Sequence, residues 1–185
     1  MDIEQLAHAC GGLAWISERL FEVEGRLATS SGVDGHLDAR TQVLLARSSR
    51  RYGQHAQWWR AALPDSPVLA GLDRVRPPTQ TWKQLLDHIA LAAPAEAVTA
   101  LYELAVPELM SALGHLRTQC SPVSDGSFIR IARMVAADLD EEWSEAQEAW
   151  PIPQVPSSTV TEELSFGFVD DYEEKRWPPL VTHPR

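Results

Sequence analysis

The chain has 185 residues, 44% of them apolar and 23% charged, with a formal net charge of −10. That length can bury a sizeable core as one domain with room for a tail, and the composition is that of an ordinary globular protein. The negative charge argues against nucleic acid or an anionic membrane surface as the main partner.

The N-terminus, Met1-Asp2-Ile3-Glu4, is acidic and lacks an apolar run, so no signal peptide is expected. No window approaches the ~20 apolar residues of a membrane span. Cys10 and Cys120 are the two cysteines and lack a metal-type spacing, so a reduced cytoplasmic chain is the simpler reading.

A first helix is expected from Ile3 to Ala28, with Ile3, Leu6, Ala7, Cys10, Leu13, Ala14, Ser17, Leu20, Phe21, Glu24 and Leu27 on its inner stripe. Glu24 is anomalous there, a carboxyl between Phe21 and Leu27. Gly11-Gly12 weakens an isolated helix by roughly 1 kcal/mol per glycine, but can admit a close neighbour. Thr29 to His36 forms a polar loop. A second helix is expected from Leu37 to Leu63, stopped by Pro64. Leu44, Ser48, Tyr52, His55, Trp59 and Ala62 recur on one side at three- and four-residue steps. A buried imidazole in that stripe must find a hydrogen-bond partner or a metal.

Pro64 to Pro78 is loop-like, and Thr79 or Thr81 caps a short helix through Trp82, Leu85, Leu86 and Ile89. A third long helix is expected from Ala95 to Thr118, with Val98, Leu101, Tyr102, Ala105, Leu109, Leu113 and Leu116 inward. Pro107 inside it removes a backbone donor and kinks it at a cost of ~3 kcal/mol, which can mark a widened interior. Glu108 borders the stripe. Ser124 or Asp125 caps a fourth long helix running to Trp150 through Phe128, Ile131, Val135, Leu139, Glu142 and Trp143, with Asp138 one turn before Glu142. The acidic run from Asp138 to Glu145 is otherwise expected to be a solvated face. Residues 1–150 thus form a helical domain, and 151–185 a proline-rich extended arm.

Four long helices in two pairs, with a longer crossover from Pro64 to Pro94, resemble the ferritin-like superfamily. The full iron pattern of that superfamily has one Glu on each of two helices and Glu-x-x-His on each of the other two. Here Glu24 stands for the first Glu, Tyr52-x-x-His55 for the first Glu-x-x-His, Glu108 for the second Glu, and Glu142-x-x-Glu145 for the second Glu-x-x-His. One bridging glutamate and one histidine are therefore missing. The resemblance implies an all-α, ferritin-like four-helix bundle with a short crossover helix and an extended C-terminal arm. It implies Glu24, His55, Glu108 and Glu142 as metal ligands, with Tyr52, Trp59, Asp138 and Glu145 around them in an inner pocket. Iron or manganese would be the cofactor of a metal-dependent oxidoreductase of this class. The incomplete ligand set favours a non-catalytic or divergent member that lacks a complete di-metal centre and keeps a polar inner pocket, with a bound iron or manganese and no metal left as equal alternatives. A second copy or a protein partner would dock on a bundle face or on the arm.

Overall fold

A computed structural model describes residues 1–30, 37–66 and 74–150, and every regular element among them is helical. The elements are α1 (Ile3–Ala28), α2 (Ala39–Ala61), α3 (Gln80–Leu91), α4 (Pro94–Ala100), a π-helical turn (Leu101–Ala105), α5 (Val106–Gln119) and α6 (Gly126–Ala149). The expected arm, 151–185, lies outside the described residues.

Local chemistry sets the starts. Asp2 accepts from the Gln5 N–H while the Gln5 side chain returns to the Asp2 N–H, a reciprocal capping box on α1. Asp38 accepts from the Thr41 N–H at 2.7 Å on α2. Thr79, not Thr81, caps α3 through the Trp82 N–H at 3.1 Å. Pro94 opens α4, where its missing N–H has no helical partner to lose. Asp125 stands at the start of α6, but its carboxylate turns away from that helix. It accepts from the Ser121 N–H at 2.9 Å and pairs with the Met1 ammonium at 3.0 Å.

Contacts between helices fix their directions. α1 climbs, and α2 descends beside it, since Arg60 meets Glu18 while Ser49 donates to the Phe21 carbonyl and Gln42 to that of Ser30. α3 climbs along α1. Arg19 and Lys83 both pair with Asp87, and the Arg26 guanidinium reaches the Ile89 and Ala90 carbonyls. Those carbonyls end α3 and carry the negative pole of its dipole, so a guanidinium there is favourable. α4, the π turn and α5 run on without a break and descend, and α6 climbs beside them, with Trp150 on Thr99 and Trp143 on Tyr102. The expected crossover is therefore a climbing helix that returns the chain to the upper end.

The core runs between these rods. Trp59, Trp82, Tyr52, Tyr102, Phe128 and a set of leucines and isoleucines are almost wholly buried. Each large apolar side chain removed from water stabilises by roughly 1.5–3 kcal/mol. The α2 stripe lies inside as its spacing indicates. Two residues of the expected α1 stripe do not: Ile3 is 44% and Phe21 46% exposed. Phe21 lies over Gly53, where its ring edge would stand 3.3 Å from an added β-carbon, a tight contact. Gly11 has a sharper role. A β-carbon there would stand 1.8 Å from the Arg74 carbonyl oxygen, so only glycine lets the backbone entering α3 lie against α1.

Candidate functional site

Two carboxyls meet in the centre of this interior. Glu24 lies on the buried side of α1 between Leu20 and Leu27, and Glu142 on that of α6 between Leu139 and Ala146. Both are 0% exposed. The Tyr52 hydroxyl donates to Glu142 Oε1 at 3.1 Å from α2. Ser48, one turn earlier, gives its own hydroxyl proton to the Leu44 carbonyl and stands beside Glu142 and the Tyr102 phenol. Tyr102, 1% exposed, supplies the fourth side from the π turn. Neither Glu24 oxygen receives a well-formed hydrogen bond, and the group set against it is the Glu142 carboxyl.

Burial dominates the electrostatics. It pushes Glu24 well above the ordinary carboxyl range, and the neighbouring Glu142 charge pushes it further. Burial lifts Glu142 to about 8, while the Tyr52 hydroxyl and the Arg51 guanidinium restrain the rise. Two adjacent carboxyls in low dielectric cannot both ionise cheaply, so the pair retains a proton at neutral pH. Burial likewise holds Tyr52 and Tyr102 well above the usual phenol range, with both carboxyls adding to it. At the centre is a buried cluster of acids and phenols that keeps its protons.

One turn away the chemistry changes. His55 is buried, and its Nε2 is 2.8 Å from Asp138 Oδ2. Desolvation lowers the imidazole below its ordinary range, opposed by Asp138. Nδ1 is buried without a hydrogen-bond partner. Asp138 itself is 34% exposed and belongs to the outer seam between α2 and α6. That seam is a ladder. Arg40 pairs with Glu148, Arg47 with Glu145, and Arg51 with Glu141, in antiparallel register with His55 and Asp138. The acidic run of α6 is thus matched rung by rung to the basic side of α2, rather than being only a solvated face.

The expected ligands therefore separate. Glu24 and Glu142 come together. His55 turns to Asp138, and its ring stands edge-on to Tyr52 at 5.8 Å between centroids. Glu108 is half-buried at the start of α5, raised by desolvation with no charged group contributing. Of the expected pocket residues, Tyr52 lines the acid pair, while Trp59 packs on Phe128 with centroids 5.3 Å apart. Asp138 and Glu145 stand on the seam. Arg51 is the cation that acts on Glu142, while Arg130 and Arg133 on α6 are exposed. Among the described residues, no group of three or more His, Cys, Asp and Glu is placed to hold a metal ion. Two carboxyls beside phenols, without a histidine, do not fit the two-metal centre that the resemblance implies.

Tyr102 is the member that the sequence stripes hide, because it sits at an inward position where an aromatic body is unremarkable, whereas Ser48 is a polar residue on an otherwise apolar stripe. A signal for Tyr102 did exist. It lies five residues before Pro107, where a kink marking a widened interior is expected.

The fold and site thus define an all-helical protein with a buried, proton-sharing acid pair. No family model, curated protein or solved structure matches the chain. No helix among the described residues is long and apolar enough to cross a membrane.

Proposed function

We propose that this chain is a ferritin-like helical bundle without a complete di-metal centre, a non-catalytic or divergent member whose polar interior is structural. The observation that carries this reading is the division of the ligand set: two carboxyls share the interior while His55 is committed to Asp138. The climbing and descending order of the rods supports the ferritin-like part. A shared proton removes one of the pair's two charges and Arg51 acts on the other, so no metal cation is required, and the single hydrogen bond from Tyr52 to Glu142 helps fix how α2 and α6 face each other. The working surface of such a protein is then its exterior, which meets a second copy or a protein partner.

Purified full-length protein, incubated with Fe(II) or Mn(II), desalted and analysed for metal, tests this reading. It is expected to retain no stoichiometric metal and to consume no oxygen with Fe(II). One or two tightly held equivalents, lost in Glu24→Gln and Glu142→Gln, would overturn it in favour of an iron- or manganese-dependent oxidoreductase. Sedimentation over a concentration series then measures self-association.

A further inference from the structure

The π turn that carries Tyr102 has an identifiable cause. In its register each N–H reaches five residues back, and the Val106 N–H donates to the Leu101 carbonyl. The next donor in that register would be residue 107, which is proline and has no N–H. In an ordinary α register the proline ring would collide with the carbonyl four residues back, that of Glu103, and widening the helix by one residue relieves this clash. The widening leaves the Tyr102 carbonyl without its main-chain donor. From α6, the Trp143 indole N–H donates to that carbonyl at 3.3 Å. The same residue places its phenol near Glu24, Glu142 and Ser48. One residue therefore ties its backbone to α6 while its phenol stands, buried and without a well-formed hydrogen bond, beside the acid pair.

We infer that Pro107 and Trp143 are positioning residues for the interior site: the proline frees the Tyr102 carbonyl, the indole takes it, and together they lock the π turn that sets the Tyr102 phenol against the carboxyls. The inference goes beyond the proposed function and stands whether or not the interior takes a metal. A buried carbonyl without a donor is unfavourable, so losing the indole N–H biases the turn towards another winding.

The test is a double-mutant cycle in the full chain, read by amide hydrogen exchange at Ala105 and Val106 and by the NMR signal of ring-labelled Tyr102, assigned with Tyr102→Phe. Trp143→Phe keeps an aromatic ring but removes the donor. It is expected to speed exchange roughly three- to tenfold, the range of one lost hydrogen bond, and to move the Tyr102 signal. In a Pro107→Ala background residue 107 regains an N–H, so the same change should alter exchange by less than about twofold. Equal effects in both backgrounds, or an unmoved Tyr102 signal, would overturn the inference. Should Trp143→Phe not fold, Pro107→Ala alone decides. The Trp143 indole N–H is expected to shift and lose exchange protection as the new amide competes for the carbonyl, and an unchanged indole signal overturns the assignment.

Discussion

Two titratable pairs sit one helical turn apart on the same face of α6, and they behave in opposite ways. Glu142 meets Glu24 where α1 closes over the interior, and Asp138 meets His55 where the α2–α6 seam opens to water. Closure forces the acids to keep a proton, and burial of the ring forces the imidazole to shed one. The same physical cost, that of charge in low dielectric, thus raises the two buried acids and lowers the imidazole. The charge at each site is set by what covers it, not by which acid supplies it.

Removing the cover of the inner pair has the largest expected effect. Tyr52→Ala deletes a wholly buried ring and the hydroxyl that restrains Glu142, and should cost about 3–5 kcal/mol in urea unfolding. Tyr52→Phe keeps the ring and should cost about 1–3 kcal/mol, the loss of a bond to a buried acid.

The pairs should next separate by pH. The folded acids bind protons more tightly than the unfolded ones, so their contribution is complete below the ordinary range near 4.5 and is lost as pH rises through about 8. Per proton, the fall is at most about 1.4 kcal/mol per pH unit. Glu142→Gln should flatten that alkaline decline in a pH series of thermal unfolding, while an unchanged decline would place the titration elsewhere.

His55 gives the opposite slope over a narrower window. Its folded value lies below 6.5, so the unfolded chain binds the proton more tightly and stability is lost as pH falls below that value. His55→Asn should remove this acid-side loss and leave the alkaline one intact. The smallest effect belongs to the outer rungs. Arg40 and Glu148 are 63% and 74% exposed, so Arg40→Ala should change stability by no more than about 0.5 kcal/mol, and less in high salt.

Much of this was legible in the sequence. Helix bounds, the crossover helix and the buried placement of Glu24, His55 and Glu142 follow from periodicity and from caps such as Asp2 and Thr79, because these are local. Partnerships were not legible. Periodicity gives an angle about one helix axis, but not where a neighbour's seam crosses it, so Asp138 and Glu145 look equivalent to Glu142 and are not. Phe21 departs from its stripe for the same reason, since Gly53 on the next helix leaves it a shallow place to rest. Pro107 signalled a disturbed helix, but its form as a π turn depends on a donor from Trp143, 36 positions onward (143 − 107).

The bare α-carbon at position 11 has a further consequence. Arg74 rests its carbonyl on α1 there, and its guanidinium reaches back to the Pro64 carbonyl. The two ends of the connection are thereby clipped to one another and to the same post. Extra residues spliced between them would form a loop whose closure is already secured, and its entropy grows only with the logarithm of length. An affinity tag or fluorescent reporter can therefore enter the chain at this point while the climb of α3 and the acids above it stay where they are.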